Sequence, residues 1–520
     1  TTTDHIVELE FVMADGSVVK TGPRRDTLAK QRETLDNLMM LHGLEIEERR
    51  PPGMIKRWPG YAVERCLKRP INVNHILCGS EGTLGAIVSA ELRLSPLPKR
   101  RALALLFFDS VAAAMQATVE LLDLKPAAIE HVDRPLLDQT RGKLMFQAAR
   151  DMMDLDARPC ESILAVEFFE DHEDKLRAVE AKRLTNRMQL IREPEQAALF
   201  WMVRKAGLAL LTGMAGDAKP ATVIEDAAVV PARLPAYVAG LRGILDRHGL
   251  QASFYGHAAS GLLHVRPVID LHTPAGVKTF RHIAGEVAAL VKEFKGSLAA
   301  EHGVGMAHTE FMRDQLGDAL FGMMKEIKKS FDPFNLFNPG KIISDGRYEI
   351  DDHLRLARKH ELTLPFVPEL AFRAKDGSFL QNLEQCNGCG GCTKWTPTMC
   401  PTYIATGDEG MSTRGRANLI RAALEHRGSA AGDPLTAAEM EYALGNCLSC
   451  KACTTECPSN VNLSLLKAEL QHARIRRDGL NLRERMFSHV DLLGRLGTRM
   501  PGLANWMLEA PLTRGWMNRF

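Results

Sequence analysis

The sequence predicts an α+β chain whose last third is α-helical and built around grouped cysteines. Three observations carry the prediction. Strand-type and helix-type stretches alternate up to about residue 345, a charged interval covers 346–375, and eight of the eleven cysteines fall into two runs beyond it. Such alternation describes helices laid on a sheet. At 520 residues the chain has room for about three to four domains.

Residues 1–100 read as strand-rich. Ile6–Val12 is a strand, Ala14-Asp15-Gly16-Ser17 a turn, and Val18-Val19 the returning strand. A second unit consists of Ile76-Leu77-Cys78 as a strand, a glycine-rich turn, then Ala86-Ile87-Val88 and Glu91-Leu92-Arg93-Leu94. Ser95-Pro96-Leu97-Pro98 marks a boundary. Over 101–345, strands such as Ala102–Phe108 and Ile163–Phe169 alternate with helices such as Val111–Leu122 and His172–Leu184, an α+β or α/β arrangement. Asp332-Pro333-Phe334-Asn335 and Asn338-Pro339-Gly340 close that domain with turns. A linker over 346–375, a helical cysteine module over 376–470 and the helical start of a further domain over 471–520 complete the chain.

The cysteine runs are Cys386-x2-Cys389-x2-Cys392-x7-Cys400-Pro401 and Cys447-x2-Cys450-x2-Cys453-x3-Cys457-Pro458. Three thiolates two residues apart can wrap one 4Fe–4S cubane, and a distant Cys-Pro closes the site. In two-cluster ferredoxins the fourth cysteine of each run ligates the other cluster. The expected sets are therefore Cys386, Cys389, Cys392 and Cys457 for one cluster, and Cys447, Cys450, Cys453 and Cys400 for the other. Two zinc sites are the alternative, which the third evenly spaced cysteine and the Cys-Pro fit poorly. Cys66, Cys78 and Cys160 lack ligand spacing and read as buried thiols. Reduced cysteines with oxygen-sensitive clusters point to the cytoplasm.

Composition is that of an ordinary soluble chain, 45% hydrophobic and 25% charged with a formal net charge of +2, and gives no reason to expect nucleic acid. No run of eighteen apolar residues occurs, so no bilayer span is expected. Thr1-Thr2-Thr3-Asp4 shows neither an initiator Met nor a signal-peptide pattern, and the chain stops at Arg519-Phe520. A piece of a longer polypeptide is the expectation. The last fifty residues hold nine Arg and no Lys against four Asp and Glu, around a largely apolar stretch at Val490–Leu508. Core or partner contact is the ordinary reading; an interfacial helix, peripheral on the inner face of the cytoplasmic membrane, is the other.

Gly79-Ser80-Glu81-Gly82-Thr83-Leu84-Gly85 is expected between two strands, and by itself it is a turn whose glycines let backbone approach a ligand. Its form resembles the GSEGTLG signature of FAD-linked oxidases of the vanillyl-alcohol-oxidase type. Trp58-Pro59-Gly60-Tyr61, Phe331-Asp332-Pro333 and Asn338-Pro339-Gly340-Lys341 resemble the segments that precede the signature and close the C-terminal cap. The resemblance spans about 1–345. It implies the C-terminal part of an FAD domain over 1–100 and an α+β cap, the substrate domain, over 101–345. Gly79, Ser80, Glu81, Gly82, Thr83, Gly85 and Asn338 would contact FAD. The family's glycine-rich pyrophosphate loop is absent, so the chain is expected to begin partway through the FAD domain.

Tyr255-Gly256-His257-Ala258-Ala259-Ser260-Gly261-Leu262-Leu263-His264 and Glu301-His302-Gly303 supply imidazoles and a carboxylate suited to Zn, Mn or Fe, with satisfied or exposed histidines as the alternative. The segments resemble the GHxGxGxxH and GEHG motifs of FAD-dependent D-2-hydroxyacid dehydrogenases, whose glycolate, D-lactate and D-2-hydroxyglutarate members share this layout. The resemblance implies His257, His264 and Glu301 as metal ligands and His302 as the base. Ala259-Ser260, Leu262, Arg266 and Ala300 depart from the motif. Trp201-x2-Arg204 resembles a segment whose Arg holds the substrate carboxylate, against a solvated helix face. Lys219 is a second candidate cation, and Glu225-Asp226 reads as structural.

The resemblance implies a dehydrogenase that oxidises a D-2-hydroxyacid and passes electrons from FAD through two clusters to a quinone, a cytochrome or another iron–sulfur protein. An electron-transfer module of a larger complex, without its own substrate, is the alternative.

Overall fold

After its first residue, every side chain of the strand Arg101–Phe108 is buried, and its two faces serve different cores. Ala102, Ala104, Leu106 and Phe108 enter one, Leu103, Leu105 and Phe107 the other. Both faces of a strand are apolar only when helices cover both sides of the sheet. The computed structural model describes the chain except residues 23–26, 171, 358–361, 363, 371, 373–376, 395–398, 426–432, 434, 437, 458 and 518–520. Pro458 of the second cysteine run thus lies outside the described residues. Two units emerge, Thr1–His360 and Glu361–Phe520.

In the first unit β1 (Ile6–Val12), β2 (Val18–Lys20) and β3 (Ala86–Leu92) form an antiparallel sheet of order β2-β1-β3. A larger sheet holds β4 (Arg101–Phe108), β5 (Ala128–Asp133), β6 (Ser162–Phe169), β7 (Met188–Ile191), β8 (Lys219–Pro220), β9 (Ala252–His257) and β10 (Leu262–Ile269). Its order is β7-β4-β6-β5-β9-β10-β8, antiparallel at each described pairing. Helices Val111–Leu121, Leu234–Arg247 and Pro274–Glu293 contribute to the core on one face, and Leu144–Met152 and Pro194–Thr212 to the core on the other. Fully buried Leu164, Leu210 and Leu241 each contribute roughly 1.5–3 kcal/mol. Ser110 starts Val111–Leu121 by accepting the Ala113 N–H at 3.1 Å.

Three sequence expectations are corrected. Ile76-Leu77-Cys78 is not a strand: Asn74–Leu77 is one helical turn, begun where Asn72 Oδ1 accepts the Asn74 N–H at 3.1 Å. The glycine-rich turn therefore joins a helix to β3. Residues 1–100 also contain a 21-residue helix, Ala29–Arg49, rather than strands alone. Its apolar residues are split between buried Leu35, Leu38, Met39 and Ile46 and exposed Met40, Leu41 and Leu44, which blurs the helical period. The helix expected to reach Leu184 stops at Ala181, because Arg183 adopts φ +50°. Segments distant in sequence share the N-terminal core, where Phe11, Trp58 and Tyr61 lie with Met312, Met324 and Phe331.

The second unit is helical among its described residues. Phe379–Glu384, Thr413–Glu425, Ala438–Gly445 and Leu463–Asp478 contribute to a core that includes Cys386 and Cys453. Helices Leu482–Ser488, Val490–Arg499 and Pro501–Glu509 bury none of their residues. No described helix is long and apolar enough to cross a membrane.

Candidate functional site

Antiparallel register puts Tyr255 opposite His264 and His257 opposite Leu262, so both histidines sit on the face carrying Tyr255. Between the strands the chain turns at Gly261, with φ +75° and space for no side chain: an added Cβ would lie 1.9 Å from the Val229 carbonyl oxygen. Glu130 of β5 pairs with His257 across the strands, and its Oε1 lies 2.6 Å from His257 Nδ1. Its Oε2 accepts from Arg204 Nε at 2.7 Å. Arg204 is thus no solvated cation; it braces the carboxylate that orients His257. His264 Nδ1 is anchored by the Glu225 carbonyl. With Nδ1 held on both rings, Nε2 of each is turned to the same place, the arrangement that metal-ligating histidines adopt.

The opposing carboxylate comes from the far side of a threaded segment. Residues 224–228 bridge β10 at Ile224 and Ala228, and Ala228 also pairs with Ser297. From there the chain enters Glu301 and His302, whose backbone N–H groups donate to Asp226 at 3.0 and 2.9 Å. Glu301 Oε1 lies 3.3 Å from His257 Nε2 and 3.8 Å from His264 Nε2, while Oε2 accepts from Lys56 Nζ at 2.6 Å. The ligand atoms of His257, His264 and Glu301 all lie within 4.8 Å of one another. Asp226, Glu301 and His302 form a second such group, but the carboxylate of Asp226 is already engaged by two backbone amides.

The three groups shift one another's proton affinity. Hydrogen bonding to Glu130, then to Glu301, lifts the His257 imidazole to about 9. Burial drops His264 to about 4. Burial would raise Glu301, yet hydrogen bonds from His257 and Lys56 hold its carboxyl well below the usual range. A divalent ion can take the place of the His257 proton, so the donor set fits one.

His302 lies beside this group, its ring parallel to that of His264 with centroids 5.3 Å apart. Nε2 is 3.7 Å from Glu301 Oε1, and Nδ1 is 3.8 Å from Glu225 Oε1. Glu225 raises the proton affinity of His302. The sequence reading takes Glu225 as structural and does not single out Glu130, Lys56 or Tyr255. Arg266, noted only as a departure from the motif, is buried and donates to Tyr255 Oη at 2.8 Å and Glu225 at 2.9 Å. Lys219 sits on edge strand β8 and donates to the Met214 carbonyl, within its own turn.

The Gly79–Gly85 turn is fixed from several sides. Tyr61 Oη meets Thr83 Oγ1 at 2.9 Å, Thr83 Oγ1 donates to the Ser80 carbonyl at 2.7 Å, and Lys328 Nζ donates to the Thr83 carbonyl at 2.5 Å. Glu81 spends its carboxylate on the N–H groups of Val304 and Gly305, at 2.6 and 2.8 Å, tying the turn to the segment after His302. Asn338 Nδ2 donates to the Glu81 carbonyl at 2.7 Å. At Gly82 an added Cβ meets nothing within 4 Å, so the tip of the turn is open.

In the second unit Cys386, Cys389, Cys392 and Cys457 line one hollow. Cys400, Cys447, Cys450 and Cys453 line another. Neither lining includes a His or a carboxylate, so the candidate ligands at each hollow are its four sulfurs. The two runs share a backbone pattern: positive φ two and four residues after the first cysteine, at Gly388 and Gly390, and at Ser449 and Lys451. Left-handed Ser and Lys cost of order 1–3 kcal/mol each. Met399 and Thr413 line both hollows.

Residues 97–342 match the family described as FAD linked oxidases, C-terminal domain, and residues 382–461 match the 4Fe-4S dicluster domain. The chain is 28% identical to the D-2-hydroxyglutarate dehydrogenase of Pseudomonas putida over 97% of its own length and 55% of that protein. It is 27% identical to the Escherichia coli protein of the same name, over 99% of the chain and 56% of the relative. Glycolate oxidase subunit GlcD of Bacillus subtilis is 25% identical over 66% of the chain and 64% of that protein. The chain thus spans about half the length of the D-2-hydroxyglutarate dehydrogenases it matches.

Proposed function

We propose, from the match of residues 97–342 to the FAD-linked oxidase C-terminal domain and of residues 382–461 to the 4Fe–4S dicluster domain, that the chain is the catalytic and electron-relaying part of a D-2-hydroxyacid dehydrogenase. Its substrate is a D-2-hydroxyacid of the lactate, glycolate or 2-hydroxyglutarate class, its product the 2-oxoacid, and its acceptor a quinone, a cytochrome or another iron–sulfur protein. The observation that carries this reading is the convergence of His257, His264 and Glu301 within 4.8 Å, beside His302.

When bound, FAD supplies a two-electron acceptor, a divalent Zn, Mn or Fe a Lewis acid, and the clusters one-electron carriers. His257, His264 and Glu301 would hold the metal. The Gly79–Gly85 turn and Asn338 would hold flavin, and the two sets of four cysteines one cluster each. His302 is placed to take the substrate hydroxyl proton at Nε2, the nitrogen beside Glu301, while Glu225 at Nδ1 stabilises the resulting imidazolium. Arg204, held by Glu130, is the proposed partner of the substrate carboxylate, with Lys219 as second cation.

The test is an anaerobic panel of D- and L-2-hydroxyacids added to the FAD-loaded full-length enzyme, read as flavin bleaching. One D-acid should bleach the flavin, and His302→Ala should abolish the response. Flavin left oxidised by every acid would sink the reading, and bleaching unchanged in His302→Ala would remove the proton acceptor.

A further inference from the structure

Arg416 lines the hollow formed by Cys400, Cys447, Cys450 and Cys453, and it is 1% exposed. Its Nη1 donates to Cys400 Sγ at 3.2 Å, its Nε to the Ala443 carbonyl at 2.7 Å, and its Nη2 to Met411 Sδ at 3.7 Å. None of these partners is a carboxylate. A guanidinium taken out of water costs several kcal/mol unless an anion faces it, and among the described residues the partner of Arg416 that can carry negative charge is Cys400, in the hollow that Cys447, Cys450 and Cys453 also line. Arg414, at the other hollow, differs. Its guanidinium is shared with the Glu409 carboxylate at 2.6 and 2.8 Å, and its backbone N–H donates to Cys392 Sγ at 3.3 Å.

We infer that Arg416 sets the reduction potential of the cluster held by Cys400, Cys447, Cys450 and Cys453, raising it through a charged hydrogen bond to the Cys400 sulfur. A cluster with four thiolates is anionic, and each electron it accepts adds one negative charge. A buried cation at hydrogen-bond distance therefore favours the reduced form over the oxidised one, and little solvent intervenes to screen it. Net charge and hydrogen bonds to sulfur are the protein's means of tuning such sites. The inference rests on the cluster reading of the cysteines, and its test separates the two.

The test is an anaerobic redox titration of the reconstituted full chain, followed by electron paramagnetic resonance of the reduced clusters. Iron and sulfide of about eight each per chain establish the clusters first; zinc in their place would overturn the cluster reading and the inference with it, whereas the midpoints test Arg416 alone. With clusters present, Arg416→Gln should lower one midpoint by about tenfold in the reduction equilibrium, ~59 mV for one electron. Arg416→Lys should lower it less, and the other couple should stay in place. The shifted couple should be the one whose signal Cys450→Ser alters. If Arg416→Gln alone loses iron, the Arg416→Lys midpoint decides. Unchanged midpoints at full iron content, equal shifts of both couples, or loss of iron from both Arg416 variants overturn the inference, the last because Arg416 would then be a folding residue.

Discussion

Glu130 has no motif of its own, yet it orients His257 from 127 residues away and holds Arg204 with its other oxygen. Carboxylates behind ligating histidines fix the tautomer and the ring. Glu130→Gln should therefore weaken Zn or Mn binding by about 10–100-fold, measured by equilibrium dialysis on the FAD-loaded enzyme; unchanged affinity would remove His257 from the ligand set. The histidines themselves were legible, because one turn brings His257 and His264 together. Glu130 and Lys56 were not, since nothing in their neighbouring sequence marks them and only strand register or a long-range ion pair brings them in.

Short elements carry their own electrostatic strain. The turn Val63–Leu67 buries Glu64, whose Oε1 accepts the Trp58 N–H at 3.3 Å while Oε2 has no partner among the described residues. Burial raises the Glu64 carboxyl above its ordinary value. The folded state then binds more protons than the unfolded chain over that interval, so stability falls as pH rises from the ordinary glutamate range towards the raised value. Glu64→Gln should flatten this decline and leave the protein as stable or more stable near neutral pH, read as urea midpoints across a pH series. A slope identical to that of the parent protein would show that Glu64 ionises freely in the fold. At this scale the sequence was read best where strands were long and apolar, as in Arg101–Phe108. It misled at Asn74–Leu77, where β-type apolar residues are wound into one helical turn by the preceding Asn72. Positive φ at Ser449 and Lys451 could not be read either, because neither residue type signals a left-handed backbone.

Taken whole, the chain has one unit centred on two sheets and another whose core contains cluster cysteines. Cys386 and Cys453 are core side chains of the second unit, alongside Leu383, Leu444 and Leu466. Metal binding there would double as folding energy. Iron removal by a chelator under reducing conditions should speed proteolysis within 361–520 and leave cleavage within 1–360 unchanged, read by mass spectrometry of timed digests. An unaltered digestion pattern would mean that the clusters add no stability. The amino-acid sequence alone determined the chemistry that local spacing can encode: two sets of thiolates, a glycine-rich turn, and two imidazoles followed by a Glu-His pair. Tertiary structure alone decided which groups orient them. Glu130 meets His257 through antiparallel register, Asp226 holds Glu301 and His302 through a threaded segment, and Arg416 meets Cys400 inside a helical core. The physical reason is that ligand spacing is a property of one turn of chain, whereas second partners are set by how distant segments pack.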